Sequence, residues 1–214
     1  MRLNLGCGYN KREGFVNVDS SPHCAPDLIH DLEEFPWPWA DSSIDEILMV
    51  HVLEYLSATT EVYFSVLREL YRICRHDARI TIVVPHPRHD DFLHDATHVR
   101  AVTLEGLSMF SRKNCEEWIA AGRANTPLAF IAGVDFDMVE SEVVLDEPWK
   151  KISPQSHPPR RIAGRHQAAQ QCGQGKPGGV AGGEGSSPGV ANIYSKLGPS
   201  TGPSCAGAPP WAST

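Results

Sequence analysis

The first nineteen residues constrain the fold more than any other part of the chain. Residues 2–5 are predicted to form a strand that runs directly into Gly6-Cys7-Gly8, and a second predicted strand, residues 15–18, ends at Asp19. Parallel α/β sheets hold nucleoside-like ligands with this succession. The glycines allow close backbone approach to a ligand, and the carboxylate can accept hydrogen bonds from both ribose hydroxyls. The pattern predicts a parallel α/β sheet with a ribose-binding edge.

The spacing of this motif separates two classes of nucleotide ligand. A dinucleotide site has a G-x-G-x-x-G turn, a full crossover helix and an acidic residue about 20 positions further on. Here the third glycine is missing, and Asp19 follows only eleven residues after Gly8. The turn therefore favours a ligand with a ribose but no phosphates, while a nucleotide-binding α/β enzyme that uses NAD or a nucleotide sugar stays as the alternative.

Four motifs in order resemble those of class I S-adenosylmethionine-dependent methyltransferases. They are Leu3-Asn4-Leu5-Gly6-Cys7-Gly8, Gly14-Phe15-Val16-Asn17-Val18-Asp19, Asp31-Leu32 followed by the segment 39–47, and His51-Val52-Leu53-Glu54. The resemblance covers roughly residues 1–150 and is strongest to a small subgroup whose first helix is shortened to a loop. It implies a Rossmann-like fold, S-adenosylmethionine as cofactor, and methyl transfer to an unidentified, small-molecule or sugar acceptor.

The resemblance also implies a set of cofactor-binding residues. Asp19 would accept the ribose hydroxyls, Asp31 would contact the adenine amino group, and Leu32 would stack on the adenine ring. His51, after the fourth predicted strand, would line the cofactor site beside the reactive methyl group, or act as a general base because histidine titrates near neutral pH. The remaining expected cofactor contacts lie in the first turn, at Leu5, Gly6, Cys7 and Gly8.

A polar segment, residues 85–100, follows the fifth predicted strand and is expected to face the substrate. Its candidate substrate-loop residues are His86, His89, Asp95 and His98. His94 and His98 are four positions apart, which would suit a divalent ion on one helix face, but no glutamate or third ligand is fixed by spacing. We therefore predict no metal site, and a solvated polar loop is the other alternative.

The rest of the body reads as alternating strands and helices, which favours a mostly parallel sheet with helices on both faces. The predicted strands are residues 2–5, 15–18, 27–30, 46–50 and 79–84, with two more strand-like runs at 128–131 and 134–145. The predicted helices are residues 59–75, 104–110 and 111–121, the last two beginning after Thr103 and at Ser111.

The chain changes character near residue 153. Residues 153–214 hold 12 of the 18 glycines and 9 of the 17 prolines. A segment of this composition has too little apolar surface to offset the entropy that it would lose on ordering. We predict a methyltransferase-like domain over residues 1–152 and a disordered tail over 153–214, in which Val190–Leu197 is the one candidate strand. A frame shift or truncation near residue 152 is a further hypothesis. It would leave the sheet without its last strand, and the protein could then be an inactive or non-catalytic remnant of the fold.

Charge and cysteine content narrow the partners and the compartment. The net charge is −7, and the acidic residues concentrate in residues 1–152, which argues against a broad nucleic-acid-binding face. Six cysteines lack C-x-x-C spacing, which disfavours a zinc or disulfide framework and fits a reducing cytoplasm. No apolar run is long enough for a membrane helix, so we expect a cytoplasmic protein without membrane or nucleic-acid partners.

Overall fold

The computed structural model describes residues 1–143 and Val190–Leu197. These residues form one seven-stranded sheet in the order β3-β2-β1-β4-β5-β7-β6. The first five strands are mutually parallel, and β7 runs antiparallel to both of its neighbours. The strands are β1 Arg2–Leu5, β2 Val16–Asp19, β3 Leu28–Ile29, β4 Ile44–Val50, β5 Cys74–Pro85, β6 Asp137–Val143 and β7 Val190–Leu197. The helices are α1 Thr60–Ile73, α2 Asp90–His94, α3 Leu104–Ser108, α4 Arg112–Ala120 and α5 Leu128–Ala132, with a short 3-10 helix at Pro22–Cys24.

The core lies on one face of the central strands. Leu3 pairs in register with Ile47 and Leu5 with Met49, and all four side chains are fully buried. On the opposite face Thr81 of β5 is only half-buried among the described residues. The Rossmann-like α/β class is confirmed, whereas helix coverage of the second face stays a prediction.

Helix α1 covers the buried face of the sheet. Its N-cap is Thr59, whose hydroxyl accepts a hydrogen bond from the Val62 N–H, and such a cap satisfies one of the free donors of the first turn. Val66, Leu67 and Leu70 recur at helical spacing and are buried against the core. The helix predicted at residues 59–75 is therefore confirmed, within one or two residues at each end.

The resemblance implies a loop rather than a helix between β1 and β2, and the structure has a loop there. A polar network holds the connecting loop. The Asn4 amide donates to the Asn17 side chain at 2.9 Å, and Asn17 Oδ1 also accepts from the Arg12 N–H at 2.7 Å. The Asn17 amide donates in turn to Asp27 at 2.7 Å. Asn4 and Asn17 are buried, so this pairing satisfies polar groups that would otherwise destabilise the fold.

Two predictions about the later part of the chain are corrected. The strand-like run at residues 128–131 is helix α5, which begins after Pro127 and ends at Gly133 in the left-handed conformation. The sheet does not lack its last strand, because β7 pairs with β5 and β6 over Val190–Leu197. This strand lies beyond the predicted domain end at residue 152. The rest of the predicted disordered tail and the suggested frame shift near residue 152 lie outside the described residues.

The helices over 104–110 and 111–121 are confirmed with slightly shorter bounds, as α3 and α4, and their N-caps are Thr103 and Ser111. In the parts of the chain that the structure describes, every helix is too short or too polar to cross a lipid bilayer.

Candidate functional site

The carboxyl ends of β1, β2, β3 and β4 meet at one edge of the sheet, as parallel strands require. A cavity of about 250 Å³ opens there. Ligands of open α/β sheets bind at this edge, in the crevice next to the strand where the sheet order reverses. The cavity is lined by Gly6, Asp19, Ser20, His30, Asp31, Leu32, His51, Val52, Tyr55 and Leu56.

Asp19, the predicted ribose-binding residue, connects the first glycine turn to the segment after β2. Its Oδ2 accepts the Gly8 N–H at 2.8 Å, and its Oδ1 accepts the Ser21 N–H at 2.9 Å. These two bonds fix the orientation of the carboxylate at the cavity wall. An ionised carboxylate has about four acceptor positions, so two further hydrogen bonds from a ligand diol can be accepted.

Gly6 turns the chain out of β1 beneath the cavity. Its φ of +63° lies in the left-handed region, which residues with a side chain rarely adopt. A Cβ at this position would overlap the Cγ2 methyl of Val52 and approach the Cγ1 methyl at 3.1 Å. Glycine is therefore required here both by the backbone conformation and by the close approach of a cavity-lining side chain.

The far wall of the cavity is built on the loop after β3. Asp31 is exposed there and accepts the Glu33 N–H at 2.9 Å, while the Leu32 carbonyl accepts the indole N–H of Trp37 at 3.1 Å. His30 Nε2 is buried and has no hydrogen-bond partner among the described residues. The Asp31 carboxylate offers a polar contact to a ligand beside the apolar Leu32. Further along the segment between β3 and β4, Trp37 and Trp39 are both buried in the core.

His51 occupies the end of β4 in a strained conformation. Its φ is +54°, and its N–H donates to the Val83 carbonyl at 2.8 Å. The ring is partly exposed in the cavity, and its Nδ1 lies 3.3 Å from Oε1 of Glu54. The Glu54 side chain is fully buried, and neither of its oxygens accepts a hydrogen bond from the described residues.

Tyr55 connects the cavity to the segment over residues 85–100. Its hydroxyl donates to Asp95 at 3.1 Å, and its ring meets the His98 ring edge-on at 4.5 Å. Burial raises the pKa of Tyr55 to about 12, with Asp95 and Glu54 adding to the effect, so the phenol stays neutral and able to donate at physiological pH. Phe92 stacks on the His98 ring.

The predicted substrate-loop residues are not among those that line the cavity, and of the four only Asp95 and His98 meet Tyr55. His86 and His89 accept hydrogen bonds from the Arg88 and Asp91 N–H groups, and His89 is the N-cap of α2. His98 is almost completely buried beside Asp95. Contact between these four residues and an acceptor stays a prediction.

One group of metal-ligand atoms was not predicted from sequence. The ligand atoms of Cys7, Asp19 and Cys24 lie within 4.8 Å of one another, and Asp19 is also part of the cavity wall. The two cysteines are buried and seventeen positions apart in sequence, so only the fold brings them together. Burial, with Cys24 and Asp19 adding to it, raises the pKa of the Cys7 thiol to about 11, so this sulfur is a protonated thiol at neutral pH.

Five of the predicted cofactor residues line the cavity, namely Gly6, Asp19, Asp31, Leu32 and His51. Leu5 and Cys7 are buried and do not line it. Gly8 does not line it either, but its N–H donates to Asp19, which does. Sequence reasoning missed Ser20, His30, Val52, Tyr55 and Leu56. Three of these, Ser20, His30 and Val52, directly neighbour a predicted residue in sequence, which is the signal that could have found them.

The fold is similar to that of solved methyltransferase structures. A SAM-dependent methyltransferase from Archaeoglobus fulgidus matches with a TM-score of 0.52 and 18% identity, over 91% of this chain and 85% of that one. A 1,6-didemethyltoxoflavin-N1-methyltransferase from Burkholderia thailandensis, solved with 1,6-didemethyltoxoflavin and S-adenosylhomocysteine, gives 0.44 and 15% identity over 92% and 70%. No protein-family model and no curated protein matches the sequence. The first of these likenesses shows that the chain has the fold of SAM-dependent methyltransferases.

Proposed function

We propose that this protein binds S-adenosylmethionine in the cavity at the carboxyl edge of the sheet and transfers its methyl group to a small-molecule or sugar acceptor. The observation that carries the proposal is the Asp19 carboxylate, fixed by the Gly8 and Ser21 N–H groups and facing a cavity built from four parallel strand ends. The fold similarity supports the same reading.

The residues present fit an adenosyl ligand. Asp19 would accept the two ribose hydroxyls, Asp31 would accept the adenine amino group, and Leu32 would contact the ring. The glycine turn at Gly6 brings main chain rather than side chain against the ligand.

Bound S-adenosylmethionine supplies an already activated methyl group on a sulfonium. The chain then has to align the acceptor and exclude competing nucleophiles, tasks that are worth several kcal/mol without any covalent intermediate on the protein. His51 follows β4 and lines the same cavity as Gly6 and Tyr55, which contacts Asp95 of the segment over residues 85–100. We place the acceptor on this side of the cavity.

Isothermal titration calorimetry of the full chain with S-adenosylhomocysteine and, separately, with NAD tests the proposal. We expect one S-adenosylhomocysteine site per chain and no saturable NAD binding, since the Gly8 to Asp19 turn has no third glycine for a pyrophosphate. Tight binding of NAD alone would assign the cavity to a nucleotide-binding enzyme instead. Binding of neither ligand would support a remnant that keeps the fold without its cofactor.

A further inference from the structure

Glu54 is a buried carboxylate beside His51, and it also acts on the neighbouring Tyr55. Its side chain is fully buried, and neither oxygen accepts a hydrogen bond from the described residues. Taking a carboxylate out of water is unfavourable by several kcal/mol unless a partner compensates for the lost hydration. Among the described residues, its ion-pair contact is with Nδ1 of His51 at 3.3 Å.

Arg100 also contacts Glu54, but through its backbone. Its backbone N–H donates to the Glu54 carbonyl, while its guanidinium donates to the Ser57 carbonyl at 3.0 Å and lies 4.2 Å over the Tyr63 ring. Among the described residues, His51 rather than Arg100 is therefore the ion-pair partner of the Glu54 carboxylate.

The backbone fixes the position of His51 independently of its side chain. Its positive φ is an unfavourable conformation for a residue with a Cβ, worth about 1–2 kcal/mol, and such strain concentrates at functional sites. The hydrogen bond from its N–H to the Val83 carbonyl holds it there. One edge of the ring faces Glu54, and the partly exposed remainder lines the cavity.

We propose that Glu54 is a positioning residue that holds His51 as the Nδ1–H tautomer, so that the free lone pair of Nε2 faces the cavity and acts as the general base. A carboxylate beside one ring nitrogen sets the tautomer of an imidazole in this way. The Nδ1 to Oε1 approach is an ion-pair distance rather than an aligned hydrogen bond, and such contacts commonly tighten when ligand binds.

This inference rests on the proposed function and identifies the class of acceptor. A base at this point is useful only if the acceptor atom carries a proton, as a hydroxyl oxygen or an N–H nitrogen does. The acceptor forms its new bond to the methyl carbon with its own electron pair and releases its proton to Nε2 of His51. The electrons of the broken sulfur–carbon bond stay on sulfur, giving a neutral thioether, so charge and atoms balance. Acceptors without such a proton, for example thioethers, are excluded.

The tautomer of His51 tests the proposal without knowledge of the acceptor. Full-length protein labelled with ¹⁵N is saturated with S-adenosylhomocysteine, and the ring nitrogens are observed by long-range ¹H–¹⁵N correlation. The His51 signal is assigned by its loss in His51→Asn, because asparagine tolerates a positive φ. We expect Nδ1 of His51 to be the protonated nitrogen in the unsubstituted protein.

In Glu54→Gln the amide can donate to Nδ1, so we expect the proton to move to Nε2. The matched control is Glu61→Gln, an exposed carboxylate in the first turn of α1, which should leave the His51 tautomer unchanged. An Nε2–H tautomer in the unsubstituted protein overturns the proposal, and this result does not depend on whether Glu54→Gln folds. The same tautomer in unsubstituted protein and Glu54→Gln, with S-adenosylhomocysteine bound to both, overturns it as well. Absence of S-adenosylhomocysteine binding in the unsubstituted protein instead contradicts the proposed function.

Discussion

Gly6 and Val52 are in close contact at the cavity, and this contact limits which residues position 6 of the first turn can accept. The left-handed φ of Gly6 and the methyl groups of Val52 each exclude a side chain there. Gly122, at the end of α4, has a similar φ of +65° but open space around its missing Cβ. The two glycines separate the effect of backbone conformation from the effect of cavity shape.

We predict that Gly6→Ala weakens S-adenosylhomocysteine binding by about tenfold or more, because Val52 must move out of its place in the cavity wall, and a change of 1.4 kcal/mol already gives tenfold. Gly122→Ala should lower the free energy of unfolding by about 1 kcal/mol, as expected for a left-handed alanine, and leave the affinity unchanged. Calorimetry and urea unfolding of both variants measure these effects. Equal affinity of Gly6→Ala and the unsubstituted protein would contradict the assigned cavity floor.

Individual residues also show where sequence reasoning reaches its limit. The ligand-facing position of Asp19 could be predicted from sequence, because a residue at the carboxyl end of a parallel strand lies at the ligand-binding edge of the sheet. The pairing of His51 with Glu54 was not, because three residues of separation bring two side chains together only in particular turn conformations. The grouping of Cys7 with Cys24 was equally hidden, since two distant segments must first pack against each other.

At the scale of elements, side chains of α1 hold the loop between β3 and β4 in place. The Trp37 N–H donates to Glu69 at 2.7 Å, and Arg72 donates to the carbonyls of Trp37 and Trp39. Arg72 also forms an ion pair with Glu69 at 2.6 Å. These contacts hold the buried Trp37 indole on the Leu32 carbonyl, and so connect α1 to one wall of the cavity.

The hydrogen bond from Arg72 lowers the pKa of Glu69 from its ordinary value of 4.5, with the Trp37 N–H adding to the effect. A carboxyl with a lowered folded-state pKa stabilises the protein above the unfolded value and loses that contribution as the pH falls through the folded value. We predict that Glu69→Gln lowers the free energy of unfolding by about 1–2 kcal/mol at pH 7. The difference from the unsubstituted protein should shrink steadily below pH 4.5.

Urea unfolding at several pH values measures this difference, and Glu61→Gln on the same helix is the control for loss of an exposed carboxylate. A stability difference that is the same at pH 7 and well below pH 4.5 would show that the ionised form of Glu69 is not what holds the loop.

The elements themselves were largely predictable, and the exceptions have physical reasons. Helix α1 was clear because fourteen residues give several periods of an amphipathic pattern. The run that forms α5 was predicted as a strand, since four apolar residues in a row carry no period that separates helix from strand. Pro127 before the run and Gly133 after it are the signals that favour a short helix.

At the scale of the whole molecule, β7 completes the sheet from a distant part of the chain. Its composition differs from that of the glycine- and proline-rich residues around it, which is why Val190–Leu197 was the one candidate strand there. Its position between β5 and β6 could not be predicted, because pairing of sequence-distant strands depends on the assembled sheet. The cavity lies at the carboxyl ends of β1 to β4, on the side of the sheet away from β7 and β6.

The central claim concerns this whole edge and is tested most directly by the affinity of Asp19→Asn for S-adenosylhomocysteine. Asparagine keeps the size of the side chain but removes the charge and one acceptor oxygen. Hydrogen bonds to a charged acceptor contribute about 1.5–3 kcal/mol, so the account predicts binding weaker by about 10- to 100-fold. Asp45→Asn, an ion-paired carboxylate at the start of β4 and hence at the opposite edge, should bind like the unsubstituted protein. Unchanged affinity in a folded Asp19→Asn protein would contradict the account.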